Sequence, residues 1–235
     1  MENKKTKIAI IIVILSIVML TVVSYFYNDY NTNQLALLSK EANKILETDL
    51  TQNDIDFKIK TEKNYAKVEK AIKEHTSKLR NIYIEMEEML SGINPNLIFS
   101  AQNMEDKNLE EIEKIIDEYK EKSQNLVAQC EELTNKEKIA ENISEVQISS
   151  IRNGYYTGLY NEIMFSEAMQ KQFYKLEEQV KNEKGRLYDK LNKIQKTKEF
   201  FENNESSWAI KDGKIQFTNL NMMTEYYNLV NQIID

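Results

Sequence analysis

Over most of this chain, apolar residues return at alternating steps of three and four positions. That spacing places them on one side of an α-helix and is typical of helices that pack along a shared seam. A chain of 235 residues with one proline and five glycines also lacks the turn residues that a many-stranded fold needs. We therefore expect an all-α protein. The most regular seam contains Tyr65, Val68, Ile72, His75, Leu79, Ile82, Met86 and Met89.

Three further seams and the breaks between them set the predicted helix boundaries. The first contains Leu35, Leu38, Ala42 and Ile45. Another contains Leu109, Ile112, Ile116, Tyr119, Ser123, Leu126, Cys130 and Leu133. The last contains Met169, Phe173, Leu176, Val180, Leu187, Leu191, Ile194 and Phe201. Long helices joined by short polar segments indicate an antiparallel bundle or extended coiled-coil hairpins.

We predict breaks between the helices at residues 49–54, 91–96 and 135–142. In the first break, Thr51 is a candidate N-cap for the following helix. The helical region after the last break should extend to about residue 203. Bends in it are expected at Gly154, Gly158 and Gly185.

An uncharged apolar run extends from residue 8 to residue 27. A helix of this length rises about 30 Å, the thickness of the hydrocarbon core of a bilayer. Lysines at positions 4, 5 and 7 precede the run, and the positive-inside tendency places that end in the cytoplasm. We predict a cytoplasmic tail at 1–7, a single-pass transmembrane anchor at 8–27 and an extracytoplasmic helical domain at 28–235. Tyr25, Phe26 and Tyr27 would form an interfacial aromatic belt.

The alternative reading of this run is a cleaved signal peptide, with residues 22–24 as a weak cleavage site. The run is longer than a usual signal core and continues past that site, which favours a retained anchor. Cys130 is the only cysteine and lies far from the N-terminus. No lipid-anchored cysteine therefore follows the run, and no intrachain disulfide is possible.

The chain beyond the predicted anchor is acidic. Without Glu2 and the three lysines that precede the apolar run, 28 basic residues face 37 acidic ones, a net charge near −9. Because nucleic-acid binding depends on basic surfaces, nucleic acid is excluded as a partner. The charges are interspersed along the helices, which is typical of solvated surface.

The residue types that carry enzyme chemistry do not form a recognisable site. His75 is the only histidine, which excludes the zinc motif and the di-iron set that need two. His75 and Cys130 both occupy seam positions, so we interpret them as packing residues. No phosphate-binding glycine loop or nucleophile elbow occurs. We expect no catalytic residue, metal site or cofactor, and no enzyme activity.

The C-terminal segment departs from the helical pattern. Residues 208–217 alternate between apolar and polar around Asp212 and Gly213, a strong signal for a two-residue type I′ turn. The predicted hairpin places Trp208, Ile210, Ile215 and Phe217 on one face. A final helix should follow over residues 219–235, with Met223, Tyr227, Val230 and Ile234 as its apolar seam.

The shared apolar face of this hairpin must pack on something, because so small a hairpin is not stable alone. The nearest candidates are Phe200 and Phe201 at the end of the long helix and Met223 and Tyr227 in the final helix. We interpret the tail as a cap on the end of the bundle. The alternative is a partner-binding site made of Trp208, Ile210, Ile215 and Phe217.

The same tail carries a resemblance to a known family. Its residues are Trp208, Asp212, Gly213, Lys214, Ile215, Gln216, Phe217, Glu225, Tyr226, Tyr227, Asn228 and Leu229. They resemble the end of a helical bacterial cell-envelope lipoprotein family of unknown function, in which a Gly-Ile-Gln-Phe segment leads into a helix bearing Glu-Tyr-Asn-Lys-Leu. The resemblance implies an envelope location and no particular activity. This chain lacks the family's lipidated cysteine.

Two function classes agree with these observations. The first is a membrane-anchored extracytoplasmic scaffold or protein-interaction module of the bacterial envelope, with the lipid bilayer and either another envelope protein or a second copy as partners. The second is the ectodomain of a sensory or regulatory complex. Because the sequence predicts no cytoplasmic output domain, such a regulator would act through a partner membrane protein.

Overall fold

The computed structural model describes residues 2–52, 55–104, 109–144 and 153–234, and the side chains of residues 2–17, 144 and 153 lie outside that description. The described chain is mostly helical, with one two-stranded hairpin followed by a final helix, as predicted. The helices are α1 (Glu2–Glu47), α2 (Lys63–Gly92), α3 (Pro95–Ile98), α4 (Glu110–Thr134), α5 (Lys136–Ser144), α6 (Asn153–Met164), α7 (Glu167–Asn203) and α8 (Leu220–Ile234). The strands are β1 (Trp208–Lys211) and β2 (Lys214–Phe217).

Helices α2, α4 and α7 form an up-down-up bundle. His75 of α2 contacts the carbonyl of Leu133 near the end of α4, and Thr134 in turn contacts Glu177 of α7. At the opposite end of the bundle, Lys198 of α7 pairs with Glu113 at the start of α4. Consecutive long helices therefore run antiparallel, and the predicted seams of α2 and α7 are buried as expected.

Helix α1 has two halves with different surroundings. In its C-terminal half, Leu38, Ala42 and Ile45 are buried against the bundle, whereas Leu35, predicted to share that seam, is exposed. Gln34 takes the buried position instead, because its side-chain oxygen accepts a hydrogen bond from the backbone N–H of Glu62 at 2.7 Å. The prediction for Leu35 was wrong by one position.

The N-terminal half of α1 carries the predicted anchor. Within the part of the chain that the structure describes, no helix is long and apolar enough to cross a membrane. The first half of the predicted span, residues 8–17, lies outside the described side chains.

Two predicted helix boundaries were wrong. Thr51 does not cap the next helix, because its N–H and hydroxyl both donate to the Asp49 carboxylate, and α2 begins only at Lys63. The predicted polar junction at 135–142 is largely helix α5, whose Ile139 and Ile143 are buried against the bundle.

The helix break near the predicted glycine bends falls elsewhere. Helix α7 continues through Gly185, and α6 contains both Gly154 and Gly158. The chain breaks at Ser166, whose hydroxyl accepts a hydrogen bond from the backbone N–H of Met169 and so caps α7.

The C-terminal hairpin has the predicted register. Trp208 pairs with Phe217, Ile210 with Ile215 and Lys211 with Lys214. Asp212 and Gly213 adopt φ values of 53° and 70°, as a type I′ turn requires. This conformation explains why an aspartate and a glycine occupy the turn, since both tolerate positive φ.

The final helix packs in a different phase from the predicted one. Its buried residues are Tyr226, Val230 and Ile233, while Tyr227 and Ile234 are more than half exposed. The helix has Glu225 as its only charged residue among 220–234, so its apolar arc is wide and the sequence pattern does not select one stripe. Asp235 lies outside the described residues.

Candidate functional site

The predicted partner-binding residues lie at the end of the bundle that is formed by the C-terminus of α7. Trp208 is 3% exposed, and its indole N–H donates to the carbonyl of Phe201 at 3.0 Å. Ile210, Ile215 and Phe217 are half-buried and pack against the same core. The structure therefore brings all four residues together, with their shared face turned toward the bundle.

Phe201 is the centre of this aromatic cap, which we define as Phe99, Phe200, Phe201, Trp208, Phe217 and Tyr226. The ring of Phe201 contacts those of Trp208, Tyr226, Phe99 and Phe217 at centroid distances of 5.0, 5.3, 5.7 and 6.1 Å. Burial raises the pKa of the Tyr226 hydroxyl to about 12, so it stays neutral. The cap joins the hairpin and both α7 and α8 to the residues that follow α2.

A cavity of about 610 Å³ opens beside the cap, between the start of α4 and the end of α7. Its apolar floor is formed by Leu109, Phe201 and Trp208. Its walls carry the acidic residues Glu110, Glu113, Asp117, Glu202 and Glu205 together with Lys114 and Lys198. Because carboxylates outnumber lysines, this acidic groove presents negative charge around an aromatic floor.

Lys198 organises the acidic groove. Its ammonium lies 2.8 Å from the carboxylate of Glu113 and 2.9 Å from that of Glu202. The hydrogen bond from Lys198 lowers the pKa of Glu113, and the bonds to both carboxylates raise the pKa of Lys198. Two carboxylates of the groove, those of Glu113 and Glu202, are therefore paired with the same cation.

His75 and Cys130 occupy the interior of the bundle. Burial lowers the pKa of His75 to about 4, so the ring is neutral at pH 7, and one ring nitrogen lies 2.9 Å from the carbonyl of Leu133. That nitrogen must carry the proton, since a carbonyl only accepts. Burial also raises the pKa of the Cys130 thiol to about 12, which disfavours the nucleophilic thiolate. Both environments are those of packing residues.

A buried charge cluster is the feature that the sequence analysis missed. Lys73 is 2% exposed, and its ammonium donates to Glu69 at 2.7 Å, to Glu41 at 2.9 Å and to the carbonyl of Lys58 at 3.0 Å. The carboxylate of Glu69 also accepts hydrogen bonds from two backbone N–H groups and the hydroxyl of Thr61. This lysine clamp, made of Lys73, Glu41 and Glu69, joins α1 and α2 to the loop between them.

The electrostatics of the lysine clamp favour its ionised form. Burial alone would raise the pKa of Glu69 and Glu41 and lower that of Lys73. Several partners together outweigh burial. Bonds from Lys44 and Lys73 lower the pKa of Glu41, and bonds from Lys73, Thr61 and the backbone of Lys60 lower the pKa of Glu69. Bonds to Glu69 and Glu41, with the attraction of their charges, raise the pKa of Lys73. One residue of the lysine clamp could have been found from the sequence. Glu41 stands between Leu38 and Ala42 on an apolar seam, which indicates a buried charge that needs a partner.

No group of three or more histidine, cysteine, aspartate or glutamate side chains among the described residues is placed to hold a metal ion. Comparison of the chain with protein-family models, with curated proteins and with solved structures finds no match. The resemblance of the tail to a lipoprotein family therefore stays a prediction.

We expect the fluorescence of Trp208, the only tryptophan, to report on the cap. In the native chain its emission should be blue-shifted and poorly quenched by acrylamide, because the indole is buried and hydrogen-bonded. Unfolding in guanidinium should shift the emission to the red. A water-exposed spectrum in the folded chain would contradict the cap.

Proposed function

We propose that this protein is a membrane-anchored extracytoplasmic scaffold or protein-interaction module of the bacterial envelope. The observation that supports it most directly is the helix α1, which is continuous over Glu2–Glu47. One side of its second half packs against the bundle, whereas large apolar side chains in the first half are uncovered. Those that are 45–72% exposed are Val18, Met19, Leu20, Val22, Val23, Tyr25, Phe26 and Tyr27.

An exposed apolar helix of this kind is unfavourable in water, and contact with lipid removes its side chains from solvent. The lysine-rich tail before it and the uncharged run at 8–27 are the features by which a single-pass anchor is recognised. These features support an anchor with residues 1–7 in the cytoplasm and 28–235 outside.

A continuous helix joins the proposed anchor to the domain. The helix does not break between Tyr27 and Glu47, and the lysine clamp holds its C-terminal half. The side chain of Gln172 donates to the carbonyl of Leu46 at 2.8 Å and so caps the end of α1. A domain held in this way keeps a fixed orientation relative to its anchor.

The aromatic cap lies at the end of the bundle away from the anchor. Tyr65 of α2 contacts Asn31 of α1, and α2 then rises about 40 Å to Gly92, beside the residues that enter the cap. The helical bundle therefore carries the aromatic cap and the acidic groove at the end away from the anchor. This arrangement fits a protein that presents a binding surface to another envelope protein or to a second copy.

Two lysine substitutions in α1 test the anchor. Leu20→Lys with Val23→Lys should release the tagged chain from membranes into the carbonate-soluble fraction, because each lysine within the span opposes insertion, by an amount that reaches about 3 kcal/mol at the helix centre. Leu97→Lys, at a leucine that is 66% exposed on the bundle, is the matched control and should stay with the membrane.

Topology is tested with a C-terminal tag. Protease added to intact, wall-stripped cells should remove the tag of the native chain. A protected tag would reject the proposed orientation, and a native chain that leaves the membrane in carbonate would reject the anchor itself.

A further inference from the structure

A group of tyrosines surrounds the point where α1 leaves the bundle. We call Tyr27, Tyr30, Tyr65, Tyr155 and Tyr156 the tyrosine collar. With Tyr25 they make six of the 13 tyrosines in the chain. They come from α1, from the first turn of α2 and from the first turn of α6. Three separate segments thus place phenol rings at one end of the molecule.

The contacts within the tyrosine collar are direct. The ring of Tyr65 meets that of Tyr156 at 5.2 Å and that of Tyr155 at 6.4 Å, both edge to face. The hydroxyl of Tyr65 lies 3.3 Å from that of Tyr155 and donates to the side chain of Asn31 at 3.4 Å. Tyr65 and Tyr156 are buried, whereas Tyr155 is 46% exposed. Tyr155 is therefore an outward-facing member, supported by rings beneath it.

The height of the tyrosine collar follows from α1. Asn31 is four residues beyond Tyr27, the last residue of the proposed anchor, and a helix rises about 6 Å over that distance. The headgroup layer outside the hydrocarbon core is about 5 to 7 Å thick on each side. Through its contact with Tyr65, the Tyr155 hydroxyl lies close to the level of Asn31. With α1 upright, that level falls inside the headgroup layer.

Among the described residues, the charges beside the tyrosine collar are balanced. Lys63 places its ammonium 4.7 Å from the ring centroid of Tyr30, and Lys67 follows on the same helix. Asp29 and Glu62 supply two carboxylates at the same end. These described charges therefore give the collar no preference for anionic over neutral lipid. Tyrosine, which has an apolar ring and a polar tip, is enriched at membrane interfaces for reasons that do not depend on charge.

We infer that the tyrosine collar is a membrane-contact surface, in which Tyr155 enters the headgroup layer of the lipid and seats the start of α6 on the bilayer. This inference rests on the anchor proposed above. The anchor alone would hold the domain near the membrane, whereas the collar would fix how closely the bundle sits on it.

Fluorescence quenching by lipid tests the inference with the full chain. In a Trp208→Phe background, Tyr155→Trp supplies one indole at the collar. Tyr227→Trp supplies one at the far end, where the native tyrosine is similarly exposed, at 54%. Both are reconstituted into phosphatidylcholine vesicles whose headgroups carry a spin label. We expect the label to quench the Tyr155→Trp variant several-fold more than the Tyr227→Trp variant.

The outcomes separate the collar from the anchor. Equal quenching in protein that floats with the vesicles would overturn the collar and leave the anchor standing. Protein that does not float with the vesicles would overturn the anchor and the collar together. Addition of anionic lipid should leave the quenching unchanged. If quenching required anionic lipid, the membrane contact would be made by the lysines beside the collar and not by its tyrosines, and the inference would be overturned. Circular dichroism of both variants confirms that the comparison is between folded chains.

Discussion

Substitution of Lys73 by methionine should lower the free energy of unfolding by about 3 to 5 kcal/mol, the usual cost of removing one partner from a buried ion pair. Methionine fills much of the same space, but Glu69 then stays buried without a cation, and Glu41 keeps only the half-exposed Lys44. Both carboxylates are at most 4% exposed, so water cannot replace the lost partner. Urea unfolding followed by circular dichroism measures the change.

Lys198→Met is the matched control for this prediction. Lys198 is also a largely buried lysine between two glutamates, but Glu113 and Glu202 are each 46% exposed and remain hydrated after the substitution. We expect a loss below about 1 kcal/mol. Equal losses in the two variants would show that the lysine clamp has no special role in stability.

The pH dependence of the Lys73→Met effect should have a definite sign. Glu41 and Glu69 have lowered pKa values in the native chain, so their contribution is present above the unfolded carboxyl pKa of about 4.3 and is lost as the pH falls through the folded values. In the variant, protonation instead neutralises Glu69, which has no cation left, and Glu41, which keeps only Lys44. The difference in the free energy of unfolding between the native chain and the Lys73→Met variant should therefore narrow as the pH falls from 7 toward 4.

At the high-pH end, the raised pKa of Lys73 works in the opposite direction. The contribution of Lys73 to the free energy of unfolding is complete below the unfolded lysine pKa of about 10.4. It is lost as the pH rises through the pKa that Lys73 has in the folded chain. The stabilisation from the lysine clamp should thus be largest between about pH 5 and pH 10. If the native chain and the Lys73→Met variant differed by the same free energy of unfolding at every pH from 7 to 4, this account would be contradicted.

The second large effect concerns the aromatic cap. Phe201→Ala should lower the free energy of unfolding by about 3 to 5 kcal/mol, because it removes a fully buried ring and leaves a cavity among four other rings. Trp208 loses its nearest aromatic neighbour in the same variant, so its emission should also shift to the red. Denaturant unfolding and the emission maximum measure the two effects.

Phe57→Ala provides the control for the cap. Phe57 is 53% exposed, so its truncation should change the free energy of unfolding by no more than about 0.5 kcal/mol. A red shift of Trp208 without loss of stability in Phe201→Ala would mean that the hairpin detaches from a bundle that does not need it. The tail would then be better described as a separable binding element than as a cap.

Features encoded in neighbouring residues were predicted correctly from the sequence. The seam of α2 was identified because its positions fall on one side of any α-helix, whatever the helix packs against. The hairpin and its register were identified because Asp212 and Gly213 select the turn, and the turn fixes every pair that follows.

Features that the local sequence leaves open were not predicted. These are the side of a helix that faces the core and the residue at which a helix breaks. The final helix offers apolar residues around much of its circumference, and its packing on the rest of the chain, including Phe201 and Phe217, turns Tyr226 and not Tyr227 inward. Bends in the long helical region were likewise expected at glycines, whereas the break between α6 and α7 falls at Ser166, which caps α7. Glycine permits a bend, but it does not require one.

By itself, the sequence determined that the chain is helical, where its strongest seam lies and how its hairpin pairs, because each of these follows from the order of nearby residues. Only the tertiary structure decided which polar groups are buried. Glu41 of α1 and Glu69 and Lys73 of α2 lie far apart in the sequence or on one helix, and they meet beside the backbone of the loop that joins the two helices. Their burial is tolerable only because folding brings opposite charges and backbone donors within 3.1 Å of one another, a condition that no local sequence pattern expresses.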